Sequence, residues 1–143
     1  MQVAESMWST LETSLERRAG WMSRFRRELH ATPETSGAEF GTTAKIAGEL
    51  RDAGIQPRIM SGDTGIVVDL DLGAPNTTTV ALRAELYCVE VADRKDVDYR
   101  SQTPGLCHAC GHDAHSTILL STALALQEHL PLVRSEKMQH NVR

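Results

Sequence analysis

The sequence predicts an α/β layered fold, with a central mixed or parallel sheet flanked by helices. Three observations predict it: an apolar stripe at helical spacing over residues 8–29, short β-branched runs over 58–60, 65–70 and 77–83, and a second stretch of helical character over 117–126. In the first segment Trp8, Leu11, Leu15, Met22, Phe25 and Leu29 recur among Glu12, Glu16, Arg17, Arg18 and Arg24, which predicts an amphipathic helix ending near His30. One stripe packs on a core and the basic face is solvated.

Pro33 and Gly37 interrupt that pattern, and Ser36 followed by Glu39 reads as a capping box opening a second helix. Phe40, Ala44, Ile46, Ala47 and Leu50 supply its apolar face, and Gly54 is placed to end it. The two short strands that follow are joined by a turn at Ser61, Gly62 and Asp63. Gly73, Ala74, Pro75 and Asn76 form a second turn signal, after which residues 77–83 are expected as a buried central strand. Ile118, Leu119, Leu120, Ala123, Leu124 and Leu126 then predict a third, buried helix. Beyond it the chain turns polar and aperiodic with Pro131 closing the helix, so residues 1–130 read as the folded unit and 131–143 as an irregular tail.

Hydrophobic residues at 41%, charged residues at 24% and a net charge of −4 describe an ordinary globular chain with no electrostatic footprint for nucleic acid. Glu5 and Glu12 interrupt the first residues, which carry no continuous apolar core, so neither a secretory signal nor a membrane span is read there and the expected compartment is the cytoplasm. The three cysteines include Cys107 and Cys110, which stand beside three histidines and suit a metal or redox site better than a disulfide framework.

The chemistry concentrates between Cys107 and His115, where Cys107, His108, Cys110, His112, Asp113 and His115 supply two thiols, three imidazoles and a carboxylate. Thiolate and neutral imidazole are zinc ligands, and Cys110 and His112 can face one ion from an extended loop in which Gly111 permits a tight turn. A thioredoxin-like pair of Cys107 and Cys110 and a zinc knuckle of Cys107, Cys110, His112 and His115 remain alternatives on the residues alone. Haem attachment does not, because Gly111 stands where the histidine belongs.

The run from His108 to His115 resembles the signature of the N-acyl-amino-acid amidohydrolases, the hippurate hydrolase and auxin-conjugate hydrolase group within the aminoacylase and carboxypeptidase clan of metallopeptidases. Arg26-Arg27-Glu28-Leu29-His30 with Pro33, Glu34 and Glu39, Thr64-Gly65-Ile66-Val67, and Val80-Ala81-Leu82-Arg83-Ala84 resemble further motifs of that family in the same order. The resemblance implies hydrolysis of the amide bond of an N-acyl amino acid at a centre of two divalent ions, zinc, manganese or cobalt. It implies Cys110 and His112 as metal ligands, with His108, Asp113, His115 and Glu85 as groups that support and orient them.

It also implies an incomplete N-terminal part of the layered catalytic domain. The family's adjacent pair of glutamates, which provides the general base, has no counterpart in this chain, and the family's dimerising domain would lie past residue 143. No catalytic residue is therefore assigned. Tyr87 stands where the family has an aspartate, which predicts a weakened support for the metal site, and His30 and Glu34 read as surface or loop-fixing groups. A small non-catalytic metal-binding or interaction protein derived from the same fold is the competing expectation.

Overall fold

The computed structural model describes residues 2–73 and 79–140, with side chains described over 7–73 and 79–135. The described elements are α1 (Gln2–Ala31), α2 (Phe40–Asp52), β1 (Arg58–Ile59), β2 (Ile66–Val67), α3 (His112–Glu128) and α4 (Leu130–His140). The core is made by Phe25 and Leu29 of α1, Ile46 and Leu50 of α2, Ile55, and Leu120 and Leu124 of α3. Trp21 stacks on Phe25 at 5.1 Å and extends that core along α1.

α1 and α3 pack together along much of their length, and the buried face of α3 carries Ser116, Thr117 and Ser121 beside Leu120 and Leu124. Buried hydroxyls are tolerated only when bonded. Thr117 Oγ1 donates to the Asp113 carbonyl and Ser121 Oγ to the Thr117 carbonyl, each at 2.7 Å, so these side chains spend their hydrogen bonds on their own helix and leave small volumes at the contact.

Helices with a small sheet give the mixed architecture that the sequence predicts, but the sheet is much reduced. β1 and β2 pair antiparallel in a two-stranded hairpin, with Arg58 opposite Val67 and Ile59 opposite Ile66. Residues 79–83 are exposed coil rather than a buried strand, with Val80 79% and Leu82 64% exposed, while Thr77 and Thr78 lie outside the described residues, as do Ala74, Pro75 and Asn76. A strand exists only with a ladder partner, and among the described residues none pairs with this segment.

Three boundaries also move. Ser36 does not cap α2: Glu34 does, its Oε1 accepting from the Gly41 amide at 2.8 Å and its Oε2 from the Thr42 amide at 2.7 Å, while Glu39 accepts from Gly37. A longer side chain reaching from outside the helix thus satisfies two of its free amides. α3 begins at His112, so the metal motif opens the helix instead of preceding it. Residues 130–140 are helical rather than an irregular tail, because Pro131 falls in the first turn, where no amide is needed. Val133 is buried, and Arg134 donates to the Asp71 carbonyl.

Candidate metal centre

Gly111 precedes α3 with φ of 99°, a left-handed conformation that a side chain would oppose, and it turns the loop into the helix so that His112 is the first helical residue. From there His112 Nδ1 donates to the Tyr87 carbonyl at 2.7 Å, and one turn later Ser116 Oγ donates to the Glu85 carbonyl at 2.7 Å. Residues four apart on a helix share a face, and carbonyls two apart on an extended segment point the same way. Segment 85–88 is thereby fastened along the start of α3. The Cys88 amide donates to the Glu34 carbonyl at 2.8 Å, tying the same segment to the loop before α2.

A carbonyl can only accept, so in the neutral ring Nδ1 of His112 carries the proton and Nε2 presents a lone pair. Donor atoms of Glu85, His112 and His115 all lie within 4.8 Å of one another. His112 is buried, Glu85 half-buried and His115 exposed, which describes a site open to solvent on one side. A carboxylate and two imidazoles fit a divalent ion such as zinc, and three protein donors are what a catalytic zinc site uses. Tyr87 packs edge-on against His112, ring centroids 4.5 Å apart. The main chain of Tyr87 orients His112 whatever its side chain is, so the residue that replaces the family's aspartate still supports the imidazole.

The sequence-predicted residues do not all meet. Cys110 is exposed and belongs to neither group of three metal-type donors among the described residues. Asp113 faces α1: its Oδ2 lies 2.6 Å from His30 Nδ1 and 2.8 Å from Arg26 Nε, with the carboxylate and the His30 ring fully buried. His108 is 4% exposed, neither ring nitrogen has a hydrogen-bond partner among the described residues, and burial pulls its pKa down to about 4.

His30 is the residue that sequence reasoning undervalued. It is buried at the end of α1 between Asp113 and Asp93, whose Oδ2 lies 3.1 Å from His30 Nε2, so it fixes the loop that follows residue 93 from inside the protein and not from its surface. The Ser101 amide, together with the Lys95 amide and ammonium, holds the Asp93 carboxyl far below the usual carboxylate range. Glu34 does fix a loop, by capping α2. A fully buried histidine at the end of a basic helix carries no local signature; only the acids that meet it, Asp93 and Asp113, mark it.

The sequence and the fold have counterparts among known proteins. N-acetyl-L-cysteine deacetylase of Bacillus subtilis is 39% identical over 104 residues, 73% of this chain and 25% of that protein. The crystal structure of the YXEP protein of Bacillus subtilis, described as a dinuclear metal-binding peptidase of the M20 family, superposes with a TM-score of 0.74 at 28% identity, over 80% of this chain and 32% of that one. The chain is a relative of the metal-dependent amidohydrolases. The chain is also similar to a protein of Rhodococcus jostii that is named as a glutamate–cysteine ligase, 37% identical over 131 residues, 92% of this chain but 16% of that protein. No family model matches the chain. The chain thus spans about a third or less of the relatives it matches. No helix among the described residues is long and apolar enough to cross a membrane.

Proposed function

We propose that this chain carries the metal-binding segment of an amidohydrolase that cleaves the amide bond of N-acyl amino acids. The observation that carries the reading is the placement of His112, with Nδ1 on the Tyr87 carbonyl and a ring nitrogen grouped with donor atoms of Glu85 and His115. The amidohydrolase likeness supports the reaction class, and the deacetylase relative supports an acylated amino acid as substrate. When bound, the divalent ion supplies Lewis acidity that polarises an acyl carbonyl.

His112 is the anchor of that site, with Glu85 and His115 as its nearest donors and Cys110 as a thiol within the same loop. The proton that must reach the leaving amine has no evident carrier in this chain, since the 143 residues contain no adjacent pair of glutamates. The expected behaviour is zinc binding without turnover. Zinc retained after dialysis, measured by elemental analysis, should fall in a His112→Ala chain. Release of free amino acid from N-acetyl-cysteine or hippurate, with zinc, manganese or cobalt added, should not exceed that of a metal-free control. Equal zinc in both chains would remove the assignment of the site, and metal-dependent turnover lost in His112→Ala would show that the chain needs no further base.

A further inference from the structure

A second group of donors shares no residue with the first. His30, Asp93 and Cys107 bring an imidazole nitrogen, a carboxylate oxygen and a thiol sulfur within 4.8 Å of one another. His30 Nε2 stands 3.1 Å from Asp93 Oδ2 and 4.0 Å from Cys107 Sγ. Around a tetrahedral zinc ion, with ligands at about 2.0 Å for nitrogen or oxygen and about 2.3 Å for sulfur, donors lie roughly 3.3–3.6 Å apart. Small side-chain adjustments bring these three to that spacing.

A positive charge already sits among them. Lys95 Nζ lies 2.8 Å from His30 Nε2, 3.2 Å from Asp93 Oδ1 and 3.7 Å from Cys107 Sγ, so the ammonium touches all three donors at once. It occupies the position a cation would take. The lysine side chain is 45% exposed, whereas the carboxylate it pairs with is 3% exposed, so the ammonium can leave for solvent and the donors cannot.

An independent observation points the same way. Lys95, Asp93, Cys107 and His108 line one open cleft of about 390 Å³. The buried His108 ring has neither nitrogen satisfied, and its centroid is 6.3 Å from that of His30. Buried polar groups are almost always bonded, so an imidazole with two unpaired nitrogens in this cleft is suited to a ligand that arrives there.

We propose that His30, Asp93 and Cys107 form a lysine-capped cation site that takes a thiophilic divalent ion of the zinc class when Lys95 swings into solvent, with His108 as the fourth donor. On binding, the Cys107 thiol gives its proton to water and the Lys95 ammonium leaves with its charge.

Cobalt(II) is the probe, because its visible bands report tetrahedral geometry and a thiolate-to-cobalt charge-transfer band reports a sulfur ligand. In the full chain carrying Cys110→Ser and His112→Ala, which disables the other centre, Lys95→Met should strengthen cobalt binding at least about tenfold and give the charge-transfer band. A unit charge about 4 Å from the ion is worth that much. Cys107→Ser in the same background should abolish the band. Should that variant lose its circular-dichroism signal for folded helix, Asp93→Asn takes its place and should weaken cobalt binding about tenfold or more while the sulfur band persists at saturation. No sulfur band in the Lys95→Met chain, a band that survives Cys107→Ser, or unchanged binding in Asp93→Asn would each overturn the site. None of these readouts depends on hydrolysis, so failure of the proposed activity and failure of this site are distinguishable.

Discussion

His112 is useful as a donor because of where its other nitrogen goes, and Asp113, the next residue, is useful for the opposite reason: it is consumed inside the fold. Its carboxylate is fully buried and meets both Arg26 and His30. Removing one partner of a buried ion pair strands the others in low dielectric, so Asp113→Ala should destabilise the chain by about 3–5 kcal/mol, read as a shift in the midpoint of urea unfolding. A loss below about 1 kcal/mol would mean that water already screens the cluster. Both residues were legible in the sequence as members of a dense Cys and His motif. Their division of labour was not, because adjacent residues at a helix start point in directions about 100° apart, and the partners stand 83 positions away for Asp113 and 25 for His112.

At the scale of elements, the ends of the helices decide more than their middles. Glu34 lends its carboxylate to the amides of Gly41 and Thr42, so Glu34→Ala should destabilise the chain by about 0.5–2 kcal/mol, measured by thermal or urea unfolding, whereas Ser36→Ala should change little. At the far end of α3, Glu128 accepts from Ser14 Oγ at 2.8 Å and pairs with Arg17 and Arg18 of α1 at 2.9 and 2.7 Å. The Ser14 hydroxyl first, and then Arg18, hold its carboxyl below the usual glutamate value. A carboxylate whose folded pKa is depressed stabilises above its unfolded pKa and loses that contribution as pH falls through the folded value. Stability should therefore decline below about pH 4.3 partly through this group. A Glu128→Gln chain should be less stable at neutral pH and converge with the parent at lower pH, in unfolding midpoints followed across that range. Parallel pH profiles would show the pair to be screened by solvent.

Across the whole molecule, the sequence by itself determined the existence and type of the first three helices, the short hairpin and the concentration of metal-type side chains between Cys107 and His115, but not the helix over residues 130–140. These rest on local causes: the 3.6-residue stripe of α1, the glycine and aspartate of the hairpin turn, and residue types that bind metal in any fold. Only the tertiary structure decided which of those side chains meet. It sets Glu85 and His115 beside His112, leaves Cys110 exposed, and gathers His30, Asp93 with Lys95, and Cys107 from three separate places in the chain. It decided the fate of residues 79–83 as well, since β-branched composition favours a strand but a strand needs a partner, and no local pattern supplies one. Helical order depends on bonds between residues four apart and is written in the sequence, while pairing and convergence depend on contacts between distant residues, which form only once the chain has packed.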